Sequence, residues 1–483
     1  MTQLRMPPVL VILILALLAA CATNPVTGRR ELSFMSEAQE ISIAQEADPQ
    51  IKQEMGVYND PALQEYVSGI GMKMAKISER PNLPWRFTVV DVPAVNAFAV
   101  PGGGIYITRG IMPFLDTEAE LAGVLGHEIG HVTARHSAQQ YTRQISGQVG
   151  LLALGIFVPA ARPFGELTGQ ALGVLFLKYG RDDEVQADAL GAKYESTLGW
   201  DPAGVPAFLS TLGRLDEAAG DRRGVPNWLS THPEPLARVE DIQPTVDQLK
   251  ASGTRFATNR DALWQRIDGM IYGDSPEQGM ARGSAFVHPV LRFSIDFPDK
   301  WEIANSAQQV VAKAPGADVF MLLQGVQKPA GRNIQEIALN DMNQSGFRAV
   351  EGGRTTINGL DAFVGAYQGQ MEGLGPVTTR VAHIVHGKDI YLVAGIVAPN
   401  AFQQADSAFS ASIRSFRPLS AAEAENIRPD RVDLYVVRAG DTWQSIAERS
   451  GGAITPATLA VMNKAAPTSQ PQPGARIKIV VRG

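Results

Sequence analysis

The sequence predicts a multidomain α+β chain: a mainly helical N-terminal domain with a small edge sheet, an antiparallel α+β middle domain and a βααβ module at the end. Three observations lead there. Apolar residues recur at helical spacing through much of residues 36–250, interrupted by short strand-like runs. Beyond residue 285 the pattern turns to alternation, as in Leu291-Arg292-Phe293-Ser294-Ile295-Asp296-Phe297. A polar stretch over Leu419–Val432 then sets off a last segment, Tyr435–Ile479.

The length of 483 residues admits several domains. With 45% hydrophobic and 19% charged residues, the composition is that of an ordinary globular protein. A net charge of −6 leaves no basic footprint, so nucleic acid is not an expected partner.

At the N-terminus, Arg5 precedes an apolar run from Val9 to Leu18. That run is too short for a comfortable membrane span and suits a signal-peptide core. It ends in Leu18-Ala19-Ala20-Cys21, which resembles a bacterial lipoprotein processing site. Cys21 is the only cysteine, so no intrachain disulfide exists and its thiol is free for lipidation. Ala22 follows it in place of Asp, which by resemblance to bacterial lipoproteins implies the outer membrane, with the body facing the periplasm. An ordinary secretory signal or a membrane anchor is the alternative. Residues 1–20 are thus expected to be a signal peptide and residues 21–35 the lipidated cysteine and its tether.

Helices are expected from about Ser36 to Met55 and from Pro61 to Ile77, then a strand over Trp85–Val90. Asn96–Ile107 reads as strand, Gly-rich turn and strand. Thr117-x-x-Glu120 is a capping-box pattern ahead of Leu121, Val124 and Leu125, and starts a helical run over Glu118–His136. That helix carries His127-Glu128-Ile129-Gly130-His131. Residues four apart share a helix face, so His127 and His131 can hold one metal ion between their imidazoles. Glu128 can then reach a water on that metal, the arrangement of zinc hydrolases.

Catalytic zinc usually takes three protein ligands and keeps one position open. Ala134 and Ser137 stand where one protease class needs Gly and His, so that class is excluded. His136 lies five residues past His131, about 140° around a continued helix, and is expected to point away from the metal face as a packing or surface residue. Glu184 and Asp188 are again four apart. Glu184 is the candidate third ligand, and Asp188 can accept the remaining N–H of a ligand histidine. The bland alternative is a solvated acidic helix start.

These residues resemble the HtpX/BepA/CAAX prenyl protease-like zinc metallopeptidase family. The resemblance rests on Leu121-Ala122-Gly123-Val124-Leu125-Gly126 before the motif, on Arg181, Glu184, Ala187 and Asp188, and on Asn96–Ile107. Gly180 replaces the family's usual Ser. The resemblance covers roughly residues 25–250 and implies a zincin-like metalloprotease domain of the HExxH gluzincin type, with one Zn2+ per chain. The exposed edge of the Asn96–Ile107 strands is a natural place to bind an extended peptide. Ser230-Thr231-His232-Pro233 resembles a family His-Pro segment, with Arg238 beyond it. His232 can steady a tetrahedral oxyanion, can occupy the open metal position and hold the enzyme latent, or can be a plain loop residue.

Between the two motifs lie the apolar stretches Val149–Val158 and Ala171–Leu177, each too short to span a bilayer and expected to form core helices or a lid. Helices from Pro202 to Leu215 and from Pro235 to Leu249 complete a protease domain over residues 36–250. Residues 251–284 form a connector with a helix around Leu263–Ile271. Residues 285–418 are the α+β domain, with a strand over Phe286–Phe297, further strands, and helices over Ile334–Gln344 and Asn400–Ser415. Phe293–Pro298 followed by Trp301 weakly resembles the PsbP-like fold. His383 and His386 are three apart in a strand, an unpromising metal pair.

Residues 419–433 read as a linker. Residues 434–482, from Tyr435-Val436-Val437-Arg438-Ala439-Gly440-Asp441-Thr442-Trp443 through Asn463 to Ile479, resemble a LysM module, and the resemblance implies a strand, two short helices and a strand. In that family the module binds N-acetylglucosamine-containing glycans, notably peptidoglycan; a degenerate module without sugar binding is the alternative.

The resemblances together imply a zinc endopeptidase in the cell envelope, acting on unfolded or misassembled envelope proteins and tethered to outer membrane and peptidoglycan. Glu128 would be its general base and His232 a second catalytic group. The competing readings are a non-enzymatic or dual-role chaperone or scaffold for outer-membrane protein assembly, and, more weakly, a peptidoglycan hydrolase.

Overall fold

The computed structural model describes residues 21–143, 178–219, 228–251, 253–326 and 329–483. The expected signal peptide and the apolar stretches Val149–Val158 and Ala171–Leu177 lie outside the described residues. The chain forms two compact units. One holds the described residues up to Tyr272 together with Arg431–Val481, and the other holds Gly273–Asp430 with Arg482–Gly483.

The first unit opens on a short hairpin of β1 (Cys21–Thr23) and β2 (Arg30–Leu32). Helix α1 (Glu37–Met55) starts on a reciprocal capping box: Gln39 N donates to Ser36 Oγ at 3.3 Å, and Ser36 N donates to Gln39 Oε1 at 2.8 Å. Asp60 caps α2 (Pro61–Ile77), whose first residue is a proline with no amide to satisfy. A three-stranded sheet follows, from β3 (Arg86–Val90), β4 (Ala97–Val100) and β5 (Gly104–Thr108), in the order β3-β5-β4. β3 runs parallel to β5 and β4 antiparallel to it, so β4 is an edge strand.

Helix α3 (Glu118–Thr133) carries the metal motif. Only half of its expected capping box forms. Thr117 Oγ1 accepts from Glu120 N at 3.1 Å, but the Glu120 carboxylate instead takes Asp116 N at 2.9 Å and Lys464 Nζ at 2.5 Å. The helix also stops three residues short of His136, because Arg135 adopts φ +61° and residues 136–143 begin a new helical run. Helices α4 (Arg181–Thr197), α5 (Gly204–Ala219), the single turn α6 (Trp228–Thr231), α7 (Pro235–Lys250) and α8 (Arg260–Ile267) complete the helical layer.

In the second unit, β6 (Met280–Arg282), β7 (Ala285–His288) and β8 (Phe293–Asp296) form a meander. The expected continuous strand Phe286–Phe297 is therefore two strands, turned at residues 289–292, where Arg292 sits at φ +56°. Strands β9 (Glu302–Asn305), β10 (Gln309–Lys313) and β11 (Phe320–Gly325) lead to helix α9 (Ile334–Gln344). β12 (Arg348–Ile357), β13 (Leu360–Met371), β14 (Gly375–His386) and β15 (Asp389–Val397) complete an antiparallel sheet ordered β12-β13-β14-β15-β11-β10-β9. Helix α10 (Phe402–Ser415) buries Phe409 and Ile413 in a core with Phe286, Phe293, Ile295 and Val393. β16 (Arg417–Pro418) joins β8, and α11 (Ala421–Asn426) lies in the expected linker. His383 Nε2 lies 2.8 Å from Asp341 Oδ2 and His386 Nε2 2.9 Å from Leu291 O, so the two imidazoles have separate partners.

The chain then returns to the first unit. β17 (Arg431–Val436), α12 (Trp443–Arg449), α13 (Pro456–Met462) and β18 (Arg476–Val481) make the expected βααβ module, with β17 antiparallel to β18. Its core of Val437, Trp443, Ile446, Leu459, Val461 and Ile477 also takes in Phe114 and Leu215 from the helical part. Two lysines cross the same junction. Lys464 Nζ donates to Glu120 Oε2 at 2.5 Å, Thr211 Oγ1 at 2.5 Å and Phe114 O at 3.0 Å. Lys478 is fully buried, and its Nζ donates to Pro113 O and Leu115 O, each at 2.7 Å. Burial, the largest influence, pushes the Lys478 ammonium down to about 7.

Candidate metal centre

Helices α3 and α4 touch almost backbone to backbone. A side-chain carbon on Gly126 would lie 2.9 Å from Gly191 Cα, and one on Gly130 3.0 Å from Ala187 Cα. This approach sets His127, Glu128 and His131 opposite Glu184 and Asp188. The end of α6 adds His232, and α7 adds Arg238. All seven side chains are buried.

His127, His131, Glu184 and His232 each offer one ligand atom, and these atoms lie within 4.8 Å of one another. His131 Nε2 is 3.0 Å from His127 Nε2 and 3.5 Å from Glu184 Oε1. His232 Nδ1 is 2.8 Å from Glu184 Oε1 and 3.3 Å from His127 Nε2. Three imidazoles and a carboxylate aimed at one point form an N/O donor set for a divalent cation. Glu128 supports that fit. Both of its carboxylate oxygens are buried without a hydrogen-bond partner among the described residues, and the nearby His232 Nε2 is 3.6 Å away. A buried carboxylate left so is costly unless a cation or water answers it.

The surrounding residues hold the candidate ligands in place. Asp188 Oδ1 lies 2.8 Å from His127 Nδ1. Arg238 clamps Asp188 through Nε to Oδ2 at 2.8 Å and Nη2 to Oδ1 at 2.6 Å, and its Nη1 forms an ion pair with Glu184 Oε2. Tyr179 stacks on His131 with ring centroids 3.9 Å apart, and Trp228 stacks on His232 at 4.3 Å. Burial, followed by the neighbouring His127 and His136, holds the His131 imidazole well below its ordinary value, in the neutral form that a ligand needs. Burial pushes the Glu184 and Asp188 carboxyls up. His232 and Arg238 outweigh this at Glu184, and Arg238 and His127 at Asp188, so both stay below the usual carboxylate range. At His232, burial pulls down, but the Glu184 and Glu128 carboxylates outweigh it and raise the imidazole.

The sequence-expected residues His127, Glu128, His131, Glu184, Asp188 and His232 thus come together in one site, while Cys21 stands far off in sequence on β1. His136 is buried, as a packing residue would be, but departs from the expected direction: it lies against His131 instead of pointing away from the metal face, because the helix on which its direction was reckoned ends at Thr133. Tyr179 and the clamping role of Arg238 had no spacing signal: Tyr179 stacks on a histidine of α3, and Arg238 grips two carboxylates of α4. Trp228 stands four residues before His232, a helical spacing that could have marked it.

Comparison with known proteins follows the same division of the chain. Residues 61–246 match Peptidase family M48, and residues 435–480 match the LysM domain. The beta-barrel assembly-enhancing protease of Escherichia coli is 30% identical over 300 residues, covering 60% of this chain and 58% of that protein. The mitochondrial metalloendopeptidase OMA1 of Schizosaccharomyces pombe is 32% identical over 225 residues, covering 45% of this chain and 64% of that protein. The chain therefore spans less than two thirds of the length of these curated relatives. Among solved structures, the cyanobacterial PsbP protein of Synechocystis aligns over 29% of this chain and 95% of its own, at 11% identity and a TM-score of 0.23, too low to carry an argument. With a buried His-His-Glu-His donor set inside the first matched segment, the chain carries a metallopeptidase domain of family M48 at residues 61–246 and a LysM domain at residues 435–480.

Proposed function

We propose that the chain is a zinc-dependent endopeptidase of the bacterial cell envelope, with His127, His131 and Glu184 holding one zinc ion and Glu128 as general base. The observation that carries this reading is the convergence of four buried donor atoms beside a buried carboxylate without a hydrogen-bond partner among the described residues. Zinc supplies Lewis acidity toward a scissile carbonyl and an attacking water. The rest falls to the chain's own groups. Glu128 takes the proton of the attacking water and delivers it to the leaving amine, a role typically worth about 10² to 10⁴ in rate. Asp188 fixes the His127 tautomer by accepting from Nδ1, and Arg238 holds both Asp188 and Glu184.

His232 lies inside the donor set. That supports the latent reading, in which its imidazole would join His127, His131 and Glu184 in holding the ion and keep the enzyme latent, over the oxyanion reading.

The substrates proposed are unfolded or misassembled envelope proteins, a reading supported by the name of the Escherichia coli relative. The LysM domain supports attachment to peptidoglycan glycans. Lipidation at Cys21 after removal of residues 1–20, and through it outer-membrane anchoring, completes the proposal. So do the domain limits read from the sequence and the PsbP-like reading of residues 285–418, which rests on Phe293–Pro298 and Trp301 alone. Cleavage of a denatured protein, abolished by a zinc chelator and restored by added zinc, tests the central claim. Cleavage that survives full metal removal refutes it.

A further inference from the structure

His136 is a buried imidazole outside the donor set. Its Nδ1 lies 2.8 Å from His131 Nδ1, and its Nε2 lies 2.9 Å from Gln186 Oε1. Asp183 Oδ1 stands farther off, 3.9 Å from Nε2. Two ring nitrogens at 2.8 Å must share one proton between them, since two lone pairs or two N–H groups would repel.

The direction of that hydrogen bond decides whether His131 can bind a metal. When His131 donates, its proton is on Nδ1 and the Nε2 lone pair faces His127 and Glu184, ready to ligate. When His136 donates, neutral His131 carries its proton on Nε2, which lies 3.0 Å from His127 Nε2, and the position is blocked. Gln186 selects between the two. A carbonyl oxygen accepts only, so His136 must place its own proton on Nε2 and leave Nδ1 as an acceptor.

We infer that His136 and Gln186 form a proton-ordered relay that locks His131 in its metal-binding tautomer. This inference rests on the metal-site reading. Helix α4 then orients both histidines of the motif, His127 directly through Asp188 and His131 through Gln186 and His136. His136 and Gln186 are positioning residues and touch no substrate.

The test is zinc affinity of the purified full-length chain, by competition with a chromophoric chelator, together with the visible spectrum of the cobalt-substituted protein. Loss of a hydrogen-bond partner behind a metal-binding histidine typically costs about 10- to 100-fold in affinity. His136→Leu keeps the buried volume but removes the acceptor, and it should show that loss and a changed cobalt spectrum. His136→Asn puts an accepting Oδ1 near the Nδ1 position and should recover most of the affinity. Gln186→Leu, at a partly exposed position, should weaken binding without disturbing the fold, and it carries the test if His136→Leu fails to fold. Equal affinity in wild type, His136→Leu and Gln186→Leu overturns the relay, and so do equal losses in His136→Leu and His136→Asn. If wild type itself binds no zinc, the metal-site reading fails, and the relay with it.

Discussion

Asp188 Oδ1 stands 2.8 Å from His127 Nδ1, so the carboxylate and imidazole are joined across two helices that touch through glycine. A carboxylate in this position sets the proton on Nδ1 and turns Nε2 towards the cluster, which ties the metal-site reading to α4 as firmly as to the motif helix.

The first expectation concerns metal content. Wild-type protein should carry one zinc per chain by elemental analysis, and His131→Ala and Glu184→Ala should each lose most of it. A normal zinc content in either variant removes that residue from the proposed ligand set.

Glu128→Gln should keep both zinc and fold, because the residue lies beside the donor set and is not one of its four members. Hydrolysis of an unfolded protein should fall by about 10² to 10⁴. Unchanged turnover would end the general-base assignment.

His232→Ala separates the two active roles considered for that residue from each other and from a plain loop residue, whose removal would leave turnover and zinc content unchanged. With the latent reading, basal cleavage rises while zinc is retained on His127, His131 and Glu184. A fall, typically about 10² to 10³ for loss of one oxyanion donor, would restore the alternative.

How much of this was legible in the sequence follows from range. His127 with His131, and Glu184 with Asp188, could be read because four-residue spacing places each pair on one helix face. Helix α2 runs over the expected Pro61–Ile77, where Asp60 and Pro61 mark the start, and α9 over the expected Ile334–Gln344. His136 was illegible because extrapolating around a helix fails where the helix ends, and the left-handed Arg135 gives no strong signal in the sequence. Lys464, Lys478 and Tyr179 act across long sequence separations, which periodicity cannot show.

Lys478 gives a pH dependence. Its ammonium faces Asp116 and Glu120, which favour its charge, and Lys464 and Arg260, which oppose it; burial exceeds them all. Below about 7 the lysine is protonated both folded and unfolded, and the full cost of burying the charge is present. Between about 7 and the ordinary lysine value, the folded chain releases the proton and the unfolded chain keeps it, so stability climbs with pH. The gain is at most about 1.4 kcal/mol per pH unit. Thermal unfolding of wild type should therefore show, from neutral to alkaline pH, an upward slope that Lys478→Met lacks. Parallel profiles would mean that Lys478 is not desolvated as described.

Removing residues 431–483 should destabilise the helical part and not merely detach a binding module. Phe114 and Leu215 would be uncovered, at a cost of about 1.5–3 kcal/mol each, and Glu120 would lose Lys464. A truncated chain that melts with the wild-type midpoint for its peptidase part would contradict this.

The junction at Lys464 also bears on mechanics. Glu120 and His127 share helix α3, about two turns apart, and Lys464 grips the first of them. Tension taken up by the βααβ module reaches the rod that carries the donor histidines through the Lys464–Glu120 contact, while the same lysine also holds Thr211 on α5 and the Phe114 carbonyl, with no slack tether at that contact to absorb it. A glycan strand that drew on the module would pull on the helix that carries the proposed metal ligands.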